Sequence, residues 1–132
     1  MKQVLTGSGL LKSSGAYSQA ILAKGTFLFT AGQIGRDPET GTMPEGIEAQ
    51  TKQALANLLT VLRAAGGDLK HVVRMLVFLA DLKDGPEFNR VYAEHFANEP
   101  PVRTRVQAGA LSPGCLLEME AIAVLPDKET AR

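Results

Sequence analysis

The chain has 132 residues and a mass of 14.1 kDa, the size of one domain spanning residues 1–132. Its 45% hydrophobic and 21% charged residues suit a soluble globular core, which excludes global disorder. Fourteen Lys and Arg balance fourteen Asp and Glu, which argues against a broad basic surface for nucleic acid and does not oppose self-association.

A lone cysteine, Cys115, cannot form an internal disulfide, and no Cys/His cluster has zinc spacing. No signal-peptide pattern and no apolar run of about 18 residues occurs, so a cytoplasmic protein without a membrane partner is expected.

In chain order, a short strand is allowed at Gln3 to Leu5. Strands are then expected at Tyr17 to Leu22 and Thr26 to Ile34, joined hairpin-fashion by Ala23-Lys24-Gly25. Gly35 to Gly46, with Pro38 and Pro44, reads as a long loop. Ile47, Ala54, Leu55, Leu58, Leu59 and Leu62 recur at helical spacing, and Gly66-Gly67 supplies the stop, so the helix runs from Ile47 to Ala65. His71 to Ala80 reads as a strand buried on both faces, because both alternating sets are apolar except at Arg74. A second helix starts at Asp84 and Pro86, carries Phe88, Val91, Tyr92, His95 and Phe96 on one stripe, and ends at Pro100-Pro101. Two last strands follow, Val102 to Ala108 and Cys115 to Leu125, joined by a turn containing Gly109, Pro113 and Gly114. The polar tail, Pro126 to Arg132, is expected to fray. This ββαβαββ order predicts a two-layer α+β domain, one mixed sheet with both helices on one face. The opposite sheet face is left to be polar or to be covered by association.

The last two strands carry the most informative chemistry. Period two places Arg103, Arg105 and Gln107 on one face, and Leu116, Glu118, Glu120, Ile122 and Val124 on one face. If the turn sets Ala108 opposite Cys115, Arg105 opposes Glu118 and Arg103 opposes Glu120, a register that a one-residue slip would destroy. Such a ladder is either a solvated charged surface or the rim of a pocket or subunit contact. In the second case the arginine fork fits a carboxylate ligand and a neighbouring acid can hold a water. His71, His95 and Cys115 read as structural, and Gly32 and Gly35 frame no phosphate loop. Tyr17 fits core or pocket wall equally.

Pro101-Val102-Arg103-Thr104-Arg105-Val106, then Leu111-Ser112-Pro113-Gly114 and Leu117-Glu118-Met119-Glu120-Ala121-Ile122-Ala123-Val124, resemble the signature of the reactive-intermediate deaminase family (Rid, or YjgF-type). Gly15-Ala16-Tyr17-Ser18-Gln19-Ala20, Thr30-Ala31-Gly32-Gln33-Ile34 and Phe88-Asn89-Arg90-Val91-Tyr92 agree in matching order, so the resemblance covers essentially the whole chain. It implies a chorismate-mutase-like fold and a homotrimer with active sites between subunits. The implied activity is hydrolysis of unstable enamine/imine acids, 2-iminobutanoate and 2-iminopropanoate, to 2-keto acids and ammonium, with no metal or organic cofactor. Such a deaminase would protect pyridoxal-phosphate enzymes.

By resemblance, Arg103 grips the substrate carboxylate and Glu120 positions the attacking water. Tyr17 and Asn89 line the pocket, Gly32 offers a backbone contact, and Arg105 stands where the backbone contributes. Three departures bear on substrate range and rate. Ala16 replaces a common proline, Ala31 replaces a common serine, and Arg105 replaces a common cysteine, adding a cation or pairing with Glu118. The alternative is a small-carboxylate or keto-acid binding module without turnover. RNA cleavage, a name attached to some relatives, finds no stacking platform in a neutral chain with 5% aromatics and no Trp.

Overall fold

In the computed structural model, which describes residues 1–127, the strands are β1 (Lys2–Val4), β2 (Ile21–Ala23), β3 (Phe27–Phe29), β4 (Val72–Leu79), β5 (Val102–Gln107) and β6 (Leu117–Val124). The helices are α1 (Ile47–Ala64), between β3 and β4, and α2 (Gly85–His95), between β4 and β5. From residue 128 on, the fraying expected of the tail lies outside the described residues. Among the described residues no helix is long and apolar enough to cross a membrane.

The expected α+β architecture is present, with a different sheet order. The main sheet runs β3-β6-β4-β5, with β4 parallel to β5 and antiparallel to β6. Thus β5 and β6 are not a hairpin; β4 lies between them, and the register pairing Arg105 with Glu118 and Arg103 with Glu120 does not exist. The physical reason is composition. The most apolar strand, β4, takes the centre, where both edges are hydrogen-bonded, while the charged β5 is left on the rim.

The first two expected strands are shorter than predicted and do not pair with each other. β2 pairs with β1 in a separate two-stranded sheet, while β3 pairs with β6, so there are two sheets and not one. The edge of β2 is claimed by the N-terminal segment, with the Lys24 N–H donating to the Met1 carbonyl at 2.9 Å. Lys2 then fastens this ribbon to the body, its Nζ donating to the carbonyls of Lys70, Val72 and Glu99 at 2.9–3.3 Å. Beyond β3 only a lone bridge, Gln33 to Met119, continues the expected second strand.

The core lies between the sheet and the helices. Ala54, Leu55, Leu58 and Leu62 of α1 and Phe88 and Tyr92 of α2 pack on Met75, Val77, Leu79, Leu117, Met119, Ala121 and Ala123. The alternate residues, Arg74, Leu76, Phe78, Glu118, Glu120 and Ile122, face away and are exposed or half-buried. In the single chain β4 is therefore buried on one face, not both. α1 ends as its sequence requires: Gly66 at φ 83° accompanies bonds from the Gly66 and Gly67 N–H to the carbonyls of Arg63 and Leu62.

His71, His95 and Cys115 have structural roles. His71 Nδ1 accepts the Asp68 N–H at 2.9 Å, His95 Nδ1 lies 3.0 Å from the Val91 carbonyl, and buried Cys115 donates to the Leu117 carbonyl.

Gln50 of α1 is the polar tie of the core. It is 3% exposed, and its amide donates to the carbonyls of Pro44 and Gly114 while accepting the Leu116 N–H at 2.8 Å. It binds the long loop and the entry to β6 to one helix. Gln50→Leu keeps the volume and strands three backbone groups; each buried orphan costs about 1–3 kcal/mol. The variant is expected to lose at least about 2 kcal/mol of stability in urea denaturation, and an unchanged midpoint and slope would refute this role.

Candidate active site

β5 presents Arg103 to the helix layer, because its register partner is Met75, whose side chain is in the core. There the guanidinium carbon lies 4.9 Å from the ring centre of Tyr92, 5.8 Å from that of Phe88 and 5.3 Å from that of Tyr17. Phe88 and Tyr92 are one helical turn apart on α2, so the stripe that builds the core also builds two walls of this cage. The third wall comes from the segment before β2. Ser18 bridges to Val102 in parallel, and its Oγ donates to the Pro100 carbonyl at 2.6 Å. That pairing lays Tyr17 beside the start of β5. Its hydroxyl accepts the Ser14 N–H at 3.2 Å, and these bonds to Ser14 hold its pKa below the ordinary tyrosine value.

Among the described residues no acid pairs with Arg103; the ion pairs are Lys52–Glu48, Lys83–Asp81 and those of Arg90 with Glu48, Glu87 and Glu94. Burial lowers the Arg103 pKa, Tyr92 opposes that shift, and the nearby Arg105 adds to it. A guanidinium still stays charged under these conditions. The buried side-chain atoms with no hydrogen-bond partner among the described residues are Arg103 Nη1, Tyr92 OH and Asn89 Oδ1. Tyr92 is fully buried, and burial pushes its hydroxyl pKa up, so it stays a neutral donor. All three atoms belong to the β5–α2 layer. Unpaired buried polar atoms are costly; Arg103 Nη1 and the Tyr92 hydroxyl are donors that an anion could satisfy, whereas Asn89 Oδ1 is an acceptor that would need a donor.

The structure brings Tyr17 to Arg103 and sets Arg105 on the same face of β5, while Asn89 is a half-buried residue of α2 next to Phe88. Arg105 shares the face of Arg103 and donates from Nη1 to the Gly85 carbonyl at 3.3 Å, not to Glu118. Glu120 does not join them. It is the register partner of Leu76, points from the opposite side of the sheet, and lines a shallow hollow with Arg74, Leu76, Ala121 and Ile122. Ala31 and Gly32 lie with that second group. Thr30 binds both the N–H and the carbonyl of Ala121 at 3.0 Å, which holds the segment on the rim of β6. At Gly32 the missing Cβ leaves room for the Glu118 carboxylate, which any side chain there would strike.

Phe88 and Tyr92 are cage residues that the sequence pattern concealed, since aromatic residues at helical spacing read as core. An unpartnered hydroxyl has no sequence signature. No group of three or more His, Cys, Asp or Glu among the described residues is arranged to hold a metal.

Comparison with known proteins identifies the family and the fold. The profile of the family described as endoribonuclease L-PSP matches residues 8–125. A RutC family protein of Pyrococcus horikoshii is 45% identical over 93% of this chain and 98% of its own. The 2-iminobutanoate/2-iminopropanoate deaminase of Rattus norvegicus is 42% identical over 94% of this chain and 90% of its own. The crystal structure of RidA from the Antarctic bacterium Psychrobacter sp. superposes with a TM-score of 0.74 at 36% identity, covering 93% of this chain and 99% of that one. With the signature strands, the fold and nearly full-length matches in accord, the chain belongs to the endoribonuclease L-PSP family, the YjgF/Rid family its last strands resemble.

Proposed function

We propose that this protein hydrolyses small 2-imino acids, 2-iminobutanoate and 2-iminopropanoate, to 2-keto acids and ammonium, as a homotrimer whose sites lie between subunits. The observation that carries the reading is the aromatic-walled Arg103, half-buried and, among the described residues, without an acidic partner and with an unsatisfied Nη1. The full-length similarity to a deaminase of that specificity supports it.

The chemistry asks for orientation more than for force. A protonated imine conjugated to a carboxylate is already electrophilic. Arg103 donates paired hydrogen bonds to the carboxylate and fixes the plane of the substrate. Glu120 accepts a hydrogen bond from a water and aims it at the imine carbon. As the carbon–oxygen bond forms, the C=N π pair moves to nitrogen, and one water proton passes through the Glu120 carboxylate to the amine. The carbon–nitrogen bond pair then leaves with nitrogen as ammonia while an oxygen lone pair forms the carbonyl, and the hydroxyl proton passes through the same carboxylate to the ammonia, giving ammonium. Iminium plus water thus becomes keto acid plus ammonium, with no redox change.

The two groups lie on opposite faces of one sheet, so a single chain cannot bring both to one substrate. Apolar exposure supports association. Phe29 is 70% exposed and Phe27 44% exposed on β3, beside half-buried Leu76, Phe78 and Ile122. Covering that face with a neighbour's β5 rim would join Glu120 of one protomer to Arg103 of the next. It would also bury the second face of β4, as its apolar pattern anticipates.

Arg103→Ala is expected to cut kcat/KM for 2-iminopropanoate by at least about a hundredfold, the loss of a charge-assisted bidentate contact, with an unchanged assembly by light scattering. Near-wild-type turnover would end the carboxylate-clamp role. Arg103→Ala and Glu120→Ala chains, each inactive alone, are expected to regain activity when unfolded and reassembled together, because mixed trimers contain some sites with both native residues. Failure of well-folded mixed trimers to recover any activity would show that the two residues do not meet across a subunit boundary.

A further inference from the structure

We propose that Arg105 forms a second anion-binding position beside Arg103 and tunes this site toward 2-imino dicarboxylic acids, the imines of acidic amino acids. The inference rests on the hydrolase reading above and goes beyond it in naming the substrate side chain.

Three observations carry it. First, Arg103 and Arg105 pair with Met75 and Val77 on the same face of the same strand. A step of two residues along a strand sets their Cα atoms about 6.6 Å apart, so two long cationic side chains rise from neighbouring positions of one face, as one carboxylate at each end of a short dicarboxylate requires. Second, Arg105 is seated but not consumed. Its Nη1 donates to the Gly85 carbonyl, and a Cβ on Gly85 would stand 3.0 Å from its Nη2, so the guanidinium lies close against the bare backbone at the start of α2. One donor is used of the five a guanidinium carries. Third, neither arginine has an acidic partner among the described residues. Asp81 is engaged with Lys83, and Glu48, Glu87 and Glu94 are engaged with Arg90, while Asp84, adjacent to Gly85, forms no ion pair with Arg105.

Two like charges on one strand face repel each other; the proton affinity of Arg103 is lowered mainly by burial, and the nearby Arg105 adds to that. An arrangement of this kind is relieved by a dianion. A substrate with one carboxylate satisfies Arg103 and leaves Arg105 to water; a substrate with two satisfies both. The hydrolysis itself is unchanged: water supplies the oxygen, and nitrogen leaves as ammonium.

The test uses the assembled protein with two kinds of probe. Imines generated in solution from aspartate, glutamate and alanine report turnover. Calorimetric titration with 2-oxoglutarate and pyruvate, the stable keto acids of glutamate and alanine, reports binding without chemistry. Wild-type protein is expected to prefer the dicarboxylic member of each set. Arg105→Gln is expected to shrink that preference by about ten- to a hundredfold, the loss of a charged hydrogen bond, mainly through KM, and Arg105→Lys to restore part of it. Thermal unfolding confirms that each variant is folded. A preference that is absent, or that survives Arg105→Gln in the titrations, overturns the inference and leaves the hydrolase reading standing if alanine imine is turned over. Inactivity toward every imine overturns the hydrolase reading, while an Arg105-dependent preference in the titrations still upholds the second anion position.

Discussion

A half-buried arginine held by aromatic faces, with no acid paired to it among the described residues, is the constraint on which the rest of this structure depends. Removing a guanidinium from water without a counter-ion is unfavourable. Three rings within 6 Å offset part of that, each by roughly 0.5–2 kcal/mol according to its burial. Rings differ from a carboxylate in what they leave behind. A carboxylate would occupy the N–H fork, whereas an aromatic face stabilises the charge and keeps the donors free. Arg103 is thus stabilised as a cation while still able to take an anion.

That cage needs parts from distant segments, and the sheet order delivers them. β4 in the centre forces β5 to the rim, parallel to it, with α2 as the connection. The return through α2 lays Phe88 and Tyr92 over the residue that enters β5 first. The rim is only partly open: Ser18 bridges to Val102 and carries Tyr17 onto the third side. The same order inserts β6 on the far side of β4, where its acids point away from the helices. One strand swap therefore explains both the completed cage and the separation of Glu120 from it.

Much of this was legible from the chain. The periodicity of Ile47 to Ala65, the Asp84–Pro86 start and the apolar run after His71 announced the elements to within a residue or two, because local patterning dictates them. Strand neighbours were not legible. A short turn with Gly109, Pro113 and Gly114 suits a hairpin, and nothing local reveals that the chain instead passes over β4. The same holds for Ala23-Lys24-Gly25, where β2 is captured by the N-terminus, a contact between residues far apart in sequence. Arg103, Arg105 and Glu120 were visible as unusual charges in apolar strands. Their sidedness was not, since it depends on which strand each is paired with. The parity argument correctly put the two arginines on one face; it failed in matching that face to the glutamates.

The two arginines also differ in what surrounds them, and the difference separates two tasks that share one strand. Arg103 lies under rings, and among the described residues its Nη1 is buried without a hydrogen-bond partner, so a ligand carboxylate there would meet a fork with a free donor. Such a position sets orientation, which the reacting carbon feels directly. Arg105 rests on a backbone carbonyl at the first turn of α2, and no ring covers it among the described residues. A guanidinium placed so can rotate about that one contact and exchange a ligand group for water. The strand period of two keeps both on the same side, so on the proposed reading a change at residue 105 alters the group recognised without moving the fork that aligns the substrate. On that reading chemistry is bound to the caged residue, and choice among substrates is left to the uncovered one.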